Sequence, residues 1–232
     1  MSTLMRRAGL SSSALVLALS LSACGGGGGE SGPSSGTGSD APVVLSQDEA
    51  DGALLTLDDV GADFTELGAS ESDDQDLGCL SGLTELSDVD ADTEAENNFE
   101  LETETSLRSV LTAVNSYADT ATVVAAVEAF RASLAGCETV EVTDPESGSA
   151  LALAVTVDDA PGIGETDDQI GFSGAGSISA PGTSYSYDVS FVVSRVENAL
   201  SVVGLVDLAA PGEDVLPALT ETAVGRLTDA VG

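Results

Sequence analysis

From Phe99 onward the chain alternates. Phe99, Leu101, Thr103, Thr105 and Leu107 take one side, and Glu100, Glu102, Glu104, Ser106 and Arg108 the other. A period of two marks a strand with one buried and one wet face. From Val110 to Val114 both faces turn apolar, which predicts a strand that enters the sheet centre or carries a bulge. Asp119 or Thr120 then caps a helix in which Val123, Val127, Phe130 and Leu134 recur at helical spacing, and Gly136 stands where a terminating glycine belongs. Further strands are predicted at Val140/Val142, Leu151–Val157, Tyr185–Val193 and Leu200–Val206, with turns at Pro145–Gly148 and Glu197-Asn198. Ser46-Gln-Asp-Glu49 has capping-box spacing ahead of a helix over 47–55, and Thr56-Leu-Asp-Asp59 repeats the signal. A last helix begins near Glu213/Asp214, with Pro217 in its first turn and Leu216, Leu219, Val224, Leu227 and Val231 on its apolar side.

These elements predict an α+β domain: an antiparallel sheet of about five or six strands with helices packed on one face. The acidic stretch from Gly68 to Asn98 reads as mostly loop, pinned by Cys79.

The segment ahead of this domain has a different character. Arg6-Arg7 precedes a short apolar run, Ala14–Leu21, which ends in Leu21-Ser22-Ala23-Cys24. The layout is that of an export signal, and the run is too short to span a bilayer, which needs about 20 residues. The last four residues resemble the lipobox of bacterial lipoproteins. That resemblance implies removal of residues 1–23, diacylglycerol on Cys24, and a position on the outer face of the bacterial cell membrane. An ordinary signal cleaved after Ala23 fits less well, because Leu21 occupies a position that wants a small residue. The membrane partner is thus reached through acyl chains at Cys24, and two or more such chains hold a protein stably. Residues 25–42, rich in Gly, Ser and Pro, then form a flexible tether with a reach of roughly 20–25 Å. Residues 43–232 make one domain.

Charge narrows the function further. The chain has 40 acidic residues against six basic ones, all Arg, and no His. A field of that sign repels phosphate backbones, so nucleic acid is excluded as a partner. The lack of His removes Ser-His-Asp and Cys-His catalysis and His-based zinc sites. The apolar share of 42% is enough for a real core, so the acidity does not imply disorder. With Cys24 lipidated, Cys79 and Cys137 remain, and an isolated pair in an exported domain is most simply a disulfide.

Other motifs fall short. Asp88-Val-Asp90-Ala-Asp92-Thr-Glu94 opens like a calcium loop, but Thr93 and Phe99 stand where that loop needs Gly and Glu. Gly171-Phe-Ser173-Gly-Ala175 approaches a nucleophile elbow yet has no base to serve it, so it reads as a glycine-softened strand or a bulge. No cofactor or metal motif is present, and no catalytic residue is assigned.

Three segments carry a family resemblance: Leu54–Phe64, Val127–Cys137 and Tyr187–Asn198. Their order resembles the extracellular sensor-like domains of actinobacterial lipoproteins, related to the outer domain of PknH-type Ser/Thr kinases. The resemblance implies a cleft-bearing α+β domain with a non-enzymatic binding or sensing role, although this domain can form one disulfide where the kinase domains carry two. The surplus of acids favours a neutral or cationic small ligand, or a basic protein partner. A carboxylate-dependent envelope hydrolase and a structural or adhesive envelope protein are the alternatives.

Overall fold

The structure is a computed structural model that describes residues 42–69, 78–81, 86, 89–143, 148–159, 161–210 and 212–232. Its strands are β1 (Thr65–Glu66), β2 (Thr93–Glu102), β3 (Leu107–Ser116), β4 (Thr139–Thr143), β5 (Ala150–Asp158), β6 (Asp168–Ala180), β7 (Thr183–Val196) and β8 (Ala199–Leu208). Its helices are α1 (Gln47–Ala53), α2 (Leu57–Val60), α3 (Thr120–Leu134) and α4 (Leu216–Val231), with a short 3₁₀ turn at Gly78–Ser81. All eight strands join one antiparallel sheet in the order β1-β2-β3-β8-β7-β6-β5-β4.

Eight strands replace the five or six expected. The two extra ones lie in and beside the acidic stretch that read as loop. β2 begins at Thr93, and β1 is a two-residue pair on its outer edge. The alternating run from Phe99 to Arg108 is two strands rather than one, folded at Thr103–Ser106. There the Thr103 N–H donates to the Ser106 carbonyl and the two hydroxyls lie 2.8 Å apart. The turn reverses the phase of the alternation: Glu102 pairs with Leu107 and Leu101 with Arg108, so Leu107 lies on the face of the glutamates and Arg108 on that of Phe99 and Leu101. Of the two predicted turns, Pro145–Gly148 falls largely outside the described residues. Glu197-Asn198 joins β7 to β8 as expected.

The helices do not share one face. Odd-numbered β7 residues (Tyr187, Val189, Phe191, Val193) point to a layer with α3, whose Val123, Val127, Phe130 and Leu134 are all buried. Val192 and Val196 point the other way, to α4 and α1, joined there by Phe99, Val110 and Val203. The domain therefore has three layers, α3 on one side and α1, α2 and α4 on the other. The physical reason is in the strands themselves. Phe191-Val192-Val193 and Val202-Val203 are apolar without alternation, and a strand apolar on both faces needs cover on both.

Local signals place the helices well. Ser46 caps α1 and Glu49 returns a bond to the Ser46 N–H at 2.8 Å; Asp59 accepts from the Thr56 N–H at 2.7 Å ahead of α2. Asp119 accepts from the Ala121 N–H and starts α3. Gly136, at φ 80°, turns the chain into Cys137.

Candidate functional site

The first described residues dock at one end of the sheet. The Leu45 N–H donates to the Ser116 hydroxyl at 3.0 Å, and its carbonyl accepts from the Thr93 hydroxyl at 2.6 Å. Asn198, fully buried in the β7–β8 turn, donates from Nδ2 to the Val43 carbonyl at 3.2 Å and also to the Tyr117 carbonyl. Cys24 and the residues 25–41 lie outside the described residues. Cys79 and Cys137 are bonded, with Cα atoms 5.6 Å apart. The bond links the 3₁₀ turn to the end of α3.

Leu151, Leu153, Val155, Tyr187, Val189 and Phe191 share one face of the sheet, and α3 alone of the long helices covers it, with α4 packed on the other face. The centre of this face is aromatic. Phe172 stacks on Phe191 at a centroid distance of 5.3 Å, and Phe130 meets Phe172 edge-on at 6.5 Å. Phe191 lies over Gly204 of β8, where any Cβ would run into its ring.

Charges are arranged with little to spare. All four arginines of the described residues pair with a carboxylate: Arg108 with Asp207 at 2.7 Å, Arg131 with Asp168 at 2.7 Å, Arg195 with Asp167 at 3.3 Å, and Arg226 with Asp59 at 2.7 Å. Arg108 also donates to the Glu213 carbonyl, fixing the loop that leads into α4. The carboxylates of β2 form a row on the α3 side of the sheet. Burial raises the pKa of Glu94, with Asp90 adding to it, and burial raises that of Glu100, with Glu102 adding to it. The two stand six residues apart on one strand, roughly 20 Å, which is too far to act as an acid–base pair on one bond.

A polar cluster that the sequence reading missed lies at the docking end of this row. Glu94 and Asn115 are register partners on β2 and β3, and Tyr117 follows two residues on, so all three point to the same side. Asn115 is 4% and Tyr117 1% exposed. Glu94 Oε2, Asn115 Oδ1 and the Tyr117 hydroxyl are buried and meet no protein hydrogen-bond partner. Burial pushes the Tyr117 hydroxyl up to about 12; the neighbouring Asn115 side chain draws it down and the Glu94 charge adds to it. The only sequence signal was a polar pair at strand positions that should be apolar.

The weak motifs resolve differently. Asp92 accepts from the Ala118 N–H at 2.6 Å and Thr93 enters β2, so Asp90–Glu94 leads into a strand instead of a calcium loop; Asp88 lies outside the described residues. Ser173 is an exposed β6 residue paired with Thr156 and Ser190.

No protein-family model and no curated protein matches the chain. A solved structure does. The fold resembles the extracellular domain of PknH from Mycobacterium tuberculosis. The TM-score is 0.58 at 12% identity, covering 81% of this chain and 98% of that one. At that identity the likeness concerns the fold, and the near-complete coverage of the other chain means that the whole domain is shared. No helix among the described residues is long and apolar enough to cross a membrane.

Proposed function

We propose that this chain is a lipid-anchored envelope protein whose folded domain binds or senses a neutral or cationic ligand without chemical conversion. The observation that carries this reading is the use of the arginines. Each one among the described residues is held by a carboxylate, in a chain without Lys or His, so an anionic ligand would meet no available side-chain cation. The PknH-like fold supports a sensing role by analogy of architecture. The lipobox supports anchoring through Cys24, with the 18-residue tether holding the domain off the bilayer.

Two measurements test this. Metabolic labelling with a fatty-acid analogue is expected to tag the wild type and not Cys24→Ser; equal labelling of both would remove the anchor. Thermal-shift screening of the full chain against neutral glycans, envelope lipids, cationic amines and anionic controls is expected to give saturable shifts only with the neutral or cationic classes. A ligand at 100 times its dissociation constant adds about 2.7 kcal/mol. Saturable hydrolysis of any of them, lost on a single Asp or Glu substitution, would make the protein an enzyme.

A further inference from the structure

We propose that Glu94, Asn115 and Tyr117, with Asp90 at the rim, form a binding site for one calcium-class divalent cation. Glu94 Oε2, Asn115 Oδ1 and the Tyr117 hydroxyl are all buried without a protein partner, and all four arginines of the described residues are paired elsewhere, so an ionised Glu94 has no cation from the protein to balance it. Unsatisfied buried acceptors are costly, and a buried carboxylate with a second carboxylate beside it is costlier still. A hard cation answers all of this at once. It takes carboxylate and amide oxygens as ligands, and its two charges balance Glu94 and Asp90.

The geometry favours a fixed site. Glu94 and Asn115 are direct cross-strand partners, which sets their Cβ atoms about 4.5–5.5 Å apart. Both strands are anchored next to the cluster, Thr93 by its bond to Leu45 and Tyr117 by the bond from Asn198 to its carbonyl. Glu96, the next carboxylate on the same face, accepts from Asn98 Nδ2 at 2.8 Å and so is already engaged. The donor set combines two acids with neutral oxygens; no cluster of three or more acidic, Cys or His side chains suited to a metal occurs among the described residues. This proposal does not rest on the sensing reading.

Terbium, which replaces calcium at oxygen sites, tests it directly. The chain has three tyrosines and no tryptophan, so energy transfer to the ion reports which tyrosine is near it. The purified full chain, at 0.15 M salt, is expected to show saturable tyrosine-sensitised terbium emission that millimolar calcium displaces. Calcium at ten times its dissociation constant should raise Tm by about 3–6 °C. Glu94→Gln should weaken both responses at least tenfold while its Tm in chelator equals or exceeds that of the wild type. Tyr117→Phe, which removes both the donor ring's hydroxyl ligand and the nearest phenol, should lose the emission and weaken the calcium shift. Glu102→Gln, an exposed acid on the same strand, should change neither. Undiminished binding in Glu94→Gln, emission that survives Tyr117→Phe, or equal losses in Glu102→Gln would place the ion on surface acids and overturn the site. No calcium shift and no displacement would mean that water alone satisfies the three oxygens.

Discussion

Asn198 shows how much one side chain can carry. Its amide nitrogen holds the carbonyls of Val43 and Tyr117, 155 and 81 residues away in sequence. From the sequence it is legible only as half of an exposed-looking turn dipeptide. Nothing local says that the turn will be capped by the first residues of the domain. Asn198→Ala strands the buried Tyr117 carbonyl and removes a part-buried bond to Val43, and is expected to cost about 1–3 kcal/mol, seen as a lower urea midpoint at unchanged m-value. Gly204 is the reverse case, a residue whose importance is the space it leaves. Gly204→Ala drives a methyl group into the Phe191 ring and should cost about 1–3 kcal/mol in the same assay. A control at Gly52, where an added Cβ meets nothing within 4 Å in a helix, should be neutral or stabilising.

At the scale of elements, the helices and β3, β5, β7 and β8 were legible because their signals are local, while β6 showed only as a glycine-softened strand or bulge near Ser173. Capping boxes, a helical stripe and strict alternation need no knowledge of partners. The first half of β2 was not, because its α3-side positions are Glu94, Glu96 and Asn98. Such a strand is polar where a core strand would be apolar, and it resembles a solvated loop until its pairing with β3 is seen. The side on which each helix packs was also hidden. A helical stripe says that a helix has a buried face but not which face of the sheet receives it. The linkage of the 3₁₀ turn to α3 leads to a further prediction. The Cys79–Cys137 loop encloses 58 residues of separation, so reduction or the double Cys→Ser variant should cost about 4 kcal/mol by chain entropy. An unreduced digest should yield the linked peptides by mass spectrometry; two freely alkylated thiols would refute the bond.

Across the whole molecule the formal charge of −34 sets the response to solution conditions. Self-repulsion is weakened by salt, whose screening length falls from about 30 Å at 0.01 M to about 3 Å at 1 M. Tm is therefore expected to rise between 0.01 and 0.5 M NaCl, opposite to a protein held together mainly by surface ion pairs. Acidification works in the same direction at first. The Glu100 pKa is raised in the fold, so the folded state holds the extra proton and stability increases as pH falls toward the ordinary carboxylate range. Glu49 is held low by Ser46, so its contribution is present above the unfolded value and lost as pH falls through the folded one. A stability maximum below pH 7, with a decline under about pH 4, is the expected profile by calorimetry. Glu100→Gln should flatten its upper limb.

The strand order has a consequence for how the molecule comes into being. β8 is the seam of the sheet: it pairs with β3 on one side and β7 on the other, and Leu107 of β3 meets Leu208 across a hundred residues of chain. Until β8 has been made, β2–β3 and β4–β7 are two separate meanders, each with a bare edge. A chain that emerges amino end first must hold its earliest hairpin open for most of its synthesis. Pairings of such long range make for slow folding and expose unpaired strands meanwhile. The glutamates of β2 and the short, charged β4 keep the outer edges of those meanders from joining one another before the seam arrives.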